Sequence, residues 1–210
     1  MAGMAMADPL SLPEIAAAFL MWALMMVAMM LPSALPMILL HARLARGTAA
    51  TLLFALVYIL VWTAASLIAA IAQQGLIAAD ILDSRLMLDD ASIAGALLIA
   101  AGLYQLTPLK QRCLDRCRSP LAFLMIGWRP GLAGAVPLGL GHGLYCLGCC
   151  WMLMALLFVG GVMNLAWVAL LAVIVLAEKI VPGGRWTAAG VGAAALVAGI
   201  AMILGDSPLR

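Results

Sequence analysis

Charged side chains are scarce in this chain of 210 residues. Asp, Glu, Lys and Arg make up only 10% of it, whereas hydrophobic residues make up 67%. A soluble domain has about 25% charged and roughly 45–50% apolar residues, because water must solvate its surface. The composition therefore argues against a soluble enzyme and predicts that lipid surrounds most of the protein.

Histidine is also scarce, since the chain has only His41 and His142. Two imidazoles are too few for a haem, dicopper or di-iron oxidase centre rich in histidine. The chain also lacks a Walker motif, a GxSxG elbow and an HExxH motif, which mark several classes of hydrolase. No relay of acidic or basic residues crosses the middle of an apolar segment, which argues against a proton-driven pump. We therefore predict that the protein is not an enzyme.

Long apolar segments dominate the chain instead. A membrane-spanning helix needs ~20 apolar residues, and six segments reach about that length: 15–40, 48–73, 90–108, 133–159, 162–180 and 186–204. The first contains Pro32 and Pro36, so we expect its inner end to be kinked or unwound. The sequence thus predicts an all-α fold, a polytopic transmembrane helix bundle of about six spans that forms one domain over residues 1–210.

The distribution of basic residues predicts the orientation of this bundle. Cytoplasmic loops of membrane proteins are enriched in Lys and Arg. If the N-terminus lies outside, nine of the eleven basic residues fall in inner loops: Arg43, Arg46, Lys110, Arg112, Arg116, Arg118, Arg129, Lys179 and Arg185. The outer parts hold only Arg85 and Arg210, together with most acidic residues: Asp8, Glu14, Asp80, Asp83, Asp89, Asp90 and Asp206. We therefore predict an N-out/C-out topology.

Two further expectations follow from the positions of charged residues. The first basic residue, Arg43, comes after a complete span, so the chain has no positively charged start of a signal peptide and we expect the N-terminus to be retained. Glu178 and Lys179 end the fifth segment. We expect them to be solvated at the membrane interface, since charged groups avoid the bilayer core.

The fourth segment places thiols and an imidazole on one helical face. If Cys146 is set at zero, then Cys150 lies at about +40°, His142 at about −40° and Cys149 at about −60° around the helix. Thiolates are soft ligands that favour Cu(I), and imidazole suits copper and zinc. The spacing of Cys146 with Cys149 or Cys150 would let one helix hold one ion. Met154, further along the same helix, is another candidate ligand. The alternative is that these cysteines only pack as small apolar side chains.

Two neighbours of this face have separate interpretations. His142 lies ~12 Å along the helix axis from Cys150, so we expect it to belong to a second or transfer site, or to bond a backbone carbonyl. Gly139 and Gly143 form a small-xxx-small pair, which permits close approach of a neighbouring helix such as the first.

The first segment is rich in methionine. Its candidate ligands form two stripes about 100° apart, one with Met25 and Met29 and the other with Met26 and Met30. Both stripes fall near mid-membrane, at the expected depth of the fourth-segment cysteines. A thioether from this helix facing a thiolate from the fourth would build a Cu(I) site of two or three ligands. The alternative is that methionine only fills irregular apolar space.

A second cysteine pair, Cys113 and Cys117, lies in the basic stretch after the third segment. Its C-x3-C spacing puts both thiols on one face of a helix. The cytosol keeps thiols reduced, so the pair could accept or release Cu(I) there. The alternative is a basic interfacial helix whose cysteines dip into lipid.

Four stretches of the chain together are typical of one known family: Trp22-Ala-Leu-Met-Met-Val-Ala-Met-Met-Leu-Pro32, Tyr104-Gln-Leu-Thr-Pro-Leu-Lys110 with Cys113 and Cys117, Gly143-Leu-Tyr-Cys-Leu-Gly-Cys-Cys-Trp151, and Glu178-Lys179. In these residues the chain resembles a family of bacterial predicted metal-binding integral membrane proteins, classed as a domain of unknown function and often labelled copper chaperones. The resemblance covers most of the chain. It implies metal handling in a bacterial inner (cytoplasmic) membrane.

We therefore expect a Cu(I)-binding membrane protein that acts as a copper chaperone, with copper as its cargo. Its expected partners are the lipid bilayer and a membrane cuproenzyme or other subunits of a membrane complex, and no nucleic acid. An alternative is a structural or assembly subunit of a larger membrane complex without metal. A third hypothesis is a copper permease, which would need a conducting path of soft ligands.

Overall fold

The computed structural model describes residues 9–45 and 47–205, and this part of the chain is all helical apart from turns and one isolated bridge between Leu82 and Leu88. The helices are α1 (Leu12–Ala45), α2 (Thr48–Ala78), α3 (Ala91–Gln105), α4 (Pro108–Arg118), α5 (Pro120–Gly127), α6 (Leu132–Ala155), α7 (Leu157–Gly160), α8 (Leu165–Ile180) and α9 (Gly184–Gly205). The predicted all-α fold is confirmed. Four charged residues used for the orientation lie outside the described residues: Asp8, Arg46, Asp206 and Arg210.

Four helical stretches are long and apolar enough to cross a membrane, namely α1, α2, α6 continued through α7, and α9. Helices α3 and α4 form a fifth candidate if they are one span that bends by 63°. The predicted fifth segment forms α8, which has 16 residues and is ~24 Å long, shorter than a bilayer core of ~30 Å. The described residues thus contain four or five candidate spans. A total of six, and the N-out/C-out orientation, stay predictions.

The surface of the long helices is compatible with lipid contact. Leu24 on α1 and Ile68 on α2 have 73% and 71% of their side chains exposed. Helix α1 continues through Pro32 and Pro36 to Ala45, so the expected unwinding does not occur at these prolines.

Close glycine contacts hold two pairs of helices together. A methyl group at Gly139 of α6 would lie 2.6 Å from the carbonyl oxygen of Phe54 in α2, and one at Gly143 would lie 2.8 Å from Val61. The expected close approach therefore occurs, but the neighbour is α2 and not α1. A methyl group at Gly102 of α3 would similarly lie 2.7 Å from the carbonyl oxygen of Gly192 in α9.

Two short helices end beside the core of this bundle. Helix α4 begins at Pro108 with Thr107 as its N-cap, and it ends before Pro120, because the residue preceding a proline disfavours helical conformation. Helix α8 ends in the same way at Ile180, before Pro182. These two ends bring polar side chains next to the middle of α1, α2 and α6.

Candidate metal centre

Sulfur atoms from three helices meet in the core of the described bundle. Cys146, Cys149 and Cys150 lie on one side of α6, and each is at most 1% exposed. The Sγ of Cys150 lies 3.8 Å from the Sδ of Met30 in α1. The Sγ of Cys149 lies 4.0 Å from the Sγ of Cys117 in α4. We call these five residues the thiol cluster.

The two sulfur pairs have a spacing that suits a shared metal ion. Metal–sulfur bonds in zinc thiolate sites are ~2.3 Å long, so one ion between two sulfurs at 4.0 Å would have an S–metal–S angle of roughly 120°. The pair at 3.8 Å would have a slightly smaller angle. Among the described residues, however, no group of three or more His, Cys, Asp and Glu side chains is already close enough to hold a metal ion. A site with more than two ligands therefore requires the Met30 thioether or small side-chain rotations.

The sulfur of Cys146 has polar partners from two other helices. The ammonium of Lys179 lies 2.9 Å from the Sγ of Cys146 and donates to the Oγ of Ser33 at 2.8 Å. The hydroxyl of Tyr58 lies 3.2 Å from the same sulfur and also donates to the carbonyl oxygen of Met30 at 3.2 Å. Cys146 therefore lies beside a buried positive charge.

The expectation that Glu178 and Lys179 are solvated is wrong, since they are 1% and 8% exposed. The carboxylate of Glu178 accepts hydrogen bonds from the Nζ of Lys110 at 2.6 Å and from the Nε2 of Gln105 at 2.6 Å. Lys110 is also fully buried. The expectation failed because Glu178 in the last turn of α8 packs against Lys110 of α4, and a buried charge needs such a partner. The interior thus contains charges that the sequence did not predict.

His142 is surrounded by aromatic rings. It is 3% exposed and stacks on the ring of Tyr58 at 5.2 Å, with the rings of Phe54 and Phe123 nearby. Its Nδ1 has no hydrogen-bond partner within residues 9–45 and 47–205. Its role as a ligand of a second site stays a prediction.

The candidate methionines have different surroundings. Met30 belongs to the thiol cluster, whereas Met26 and Met154 line an apolar cavity of about 550 Å³ together with Trp22 and Trp62. Met29 is buried and Met25 is partly buried in the same apolar core. Neither of these two is hydrogen bonded to a thiol in the described part of the chain.

The two cysteines of α4 also differ. Cys117 approaches Cys149, whereas the Sγ of Cys113 packs against Gly148 of α6, where an added methyl group would lie 2.9 Å away. Tyr104 donates a hydrogen bond to the carbonyl oxygen of the same glycine. All five cysteines of the chain are free. Of this pair, Cys117 has its sulfur 4.0 Å from an α6 thiol, whereas Cys113 contacts the α6 backbone.

Sequence reasoning missed three polar residues of this centre, namely Tyr58, Ser33 and Lys179. Nothing in the local pattern of α2 or α1 distinguishes Tyr58 or Ser33 from ordinary packing residues. For Lys179 a signal was present, because it belongs to the Glu178-Lys179 pair that carries part of the family resemblance.

The comparisons with known proteins agree with a role in copper handling. The family described as PpoB2, copper chaperone, matches residues 19–202, which include every residue of the thiol cluster. No curated protein and no solved structure matches the chain. A copper chaperone family implies copper binding and suggests a non-catalytic role. Because the match covers most of its length, the chain belongs to the PpoB2 copper chaperone family.

Proposed function

We propose that the protein is embedded in a membrane and holds Cu(I) at the thiol cluster, from which it delivers the ion to a membrane cuproenzyme. The observation that carries this proposal is the meeting of soft sulfur atoms from α1, α4 and α6, with sulfur pairs at 3.8 and 4.0 Å. Thiolate and thioether ligands select Cu(I) over harder ions. The family match supports copper as the cargo.

The charge of the centre supports a monovalent ion. Cu(I) bound by two thiolates has a net charge of −1, and the ammonium of Lys179 beside Cys146 brings the sum to zero. A neutral assembly avoids the large cost of burying an unpaired charge. A divalent ion bound by two thiolates is neutral, so the sum with the same lysine would be +1.

The surroundings of the cluster support temporary storage rather than chemical conversion. Met30 and the three cysteines of α6 are buried, while Cys117 of α4 is partly exposed. An ion could therefore pass between the interior and the predicted cytoplasmic side through Cys117. The long apolar helices would hold this cluster within a bilayer, close to a membrane-bound acceptor.

The test is metal analysis of the purified protein after anaerobic loading with Cu(I). We expect stoichiometric copper in the wild type and negligible copper in the variant Cys146→Ser/Cys149→Ser/Cys150→Ser. The variant Cys113→Ser is the matched control, because Cys113 packs against Gly148 outside the sulfur pairs, and it should bind copper like the wild type. Circular dichroism and size-exclusion profiles identify a variant that has not folded. Equal, negligible copper in the wild type and the triple variant would refute the proposal.

A further inference from the structure

A small cavity of about 200 Å³ lies beside the thiol cluster, between α1, the junction of α4 and α5, and the end of α8. Its floor consists of the buried side chains of Ser33, Met37 and Lys179. Its mouth is lined by Pro36 and Ile180, which are exposed. The cavity thus connects the protein surface with the residues that contact Cys146.

A thiol forms part of the cavity wall. Cys117 lines the cavity, and its Sγ lies 4.0 Å from the Sγ of Cys149. Lys179 on the floor contacts the Sγ of Cys146. An ion that binds Cys117 from the cavity can therefore reach Cys149, a buried thiol of α6, in one ligand exchange.

The cavity is positively charged. Arg118 and Lys179 line it, and none of the described residues in its wall is acidic. Glu178 nearby directs its carboxylate to Lys110 and Gln105. A free Cu(I) ion would be repelled by these two cations, whereas an anion would be attracted.

We propose that this cavity is the entry site for Cu(I) bound to a small anionic thiol, and that Cys117 is the first protein ligand. The inference rests on the proposed function and names the form in which the cargo arrives. The cavity is smaller than the ~300–1,000 Å³ of pockets for drug-sized ligands, so it suits a carrier of a few heavy atoms. The carboxylate of such a carrier lies toward Arg118, and its copper lies toward Cys117.

The transfer is an exchange of sulfur ligands without oxidation or reduction. Cu(I) enters with two carrier thiolates. A bond forms between copper and the Sγ of Cys117 while one copper–carrier bond breaks, and the Cys117 proton leaves on the released carrier thiol. A second exchange onto Cys149 releases the other carrier in the same way. Copper stays Cu(I) throughout.

The test compares three carriers of similar size that differ in their head group. Apo protein is loaded anaerobically from Cu(I) complexes of mercaptopropionate (carboxylate), mercaptoethanol (hydroxyl) and cysteamine (ammonium), and the initial rate of copper transfer is measured. Clefts lined by charges of one sign raise association rates of counter-ions by about 10–1,000-fold. We therefore expect loading from mercaptopropionate to be about ten-fold or more faster than from cysteamine.

Two variants at the mouth of the cavity distinguish an effect of its charge on carrier preference from an effect of its shape. Ile180 is 53% exposed, so Ile180→Glu and Ile180→Gln add side chains of equal size without disturbing the core. The Glu variant should lose the preference for the anionic carrier and the Gln variant should keep it. For each carrier, the initial transfer rate of the Glu variant is divided by that of the Gln variant. This ratio does not depend on the intrinsic reactivity of the carrier.

The outcomes distinguish this inference from the proposed function. If the wild type reaches stoichiometric copper at equal rates from all carriers, or if both Ile180 variants keep the same preference, the entry site is refuted and the copper-binding proposal stands. If no carrier loads any copper, even after long incubation, both are refuted.

Discussion

Lys179 places a positive charge 2.9 Å from the sulfur of Cys146, in a position that is 8% exposed. In the copper-loaded cluster this charge offsets one of two thiolates, so its removal leaves a buried negative charge. We expect Lys179→Met to weaken Cu(I) binding by about 10–100-fold, the range found when outer partners of metal ligands are removed. Lys179→Arg keeps the charge and should lose less affinity. Competition with a chromophoric Cu(I) chelator measures both, and equal affinities of wild type and Lys179→Met would contradict the charge argument.

Met30 and Met25 provide a matched pair of thioethers on one helix. The Sδ of Met30 lies 3.8 Å from the Sγ of Cys150, whereas Met25 is only partly buried and lies in the general apolar core. Replacing methionine by leucine keeps volume and apolar character, so only the sulfur is lost. We expect Met30→Leu to weaken Cu(I) binding on the order of ten-fold, equivalent to ~1.4 kcal/mol, and Met25→Leu to have no effect. The same chelator competition measures the two variants, and a larger loss for Met25→Leu would show that the other methionine stripe provides the ligand.

Among the elements, α3 and α9 are held together by glycines at their contact. Gly102→Ala would place a methyl group 2.7 Å from the carbonyl oxygen of Gly192, and overpacking of this kind costs about 1–3 kcal/mol. Gly190 lies in α9, and no atom of the described residues lies within 4 Å of a methyl group added there. Gly190→Ala should therefore be neutral or stabilise the protein by about 0.5–1 kcal/mol, because alanine loses less conformational entropy in a helix. Thermal unfolding in detergent should show a Tm below that of the wild type for Gly102→Ala but not for Gly190→Ala.

The helices themselves were largely predictable, because apolar length and proline breaks are local properties of the sequence. The predicted segment at 48–73 lies within α2, and the one at 186–204 lies within α9. The bend between α3 and α4 and the burial of the charged end of α8 were not anticipated. Both depend on contacts between elements, such as the bond from Lys110 of α4 to Glu178 of α8, and periodicity carries no information about these contacts.

For the whole molecule, the number of spans determines on which side each terminus lies. Four or six spans place both termini on the same side, whereas five spans, with α3 and α4 as one bent span, place them on opposite sides. We predict that both termini lie outside, because the basic residues then fall in inner loops. Fusions of alkaline phosphatase and of a fluorescent protein to each terminus and after Ser119 measure this directly. Phosphatase activity at both termini, and fluorescence at Ser119, are the expected results, and termini on opposite sides would establish an odd number of spans.

The sequence by itself determined that the protein is helical and apolar, and that soft ligands are concentrated on the fourth segment. These properties follow from composition and from the 3.6-residue period of a helix, which are both local. It also identified Cys146, Cys149, Cys150, Cys117 and Met30 as candidates, but it could not separate Met30 from Met25 or Cys117 from Cys113. Only the tertiary structure decided which sulfurs meet, and it added Lys179, Tyr58 and Ser33 to their surroundings. The physical reason is that a metal centre depends on distances between helices, and those distances are set by glycine contacts, buried ion pairs and helix ends far apart in the chain.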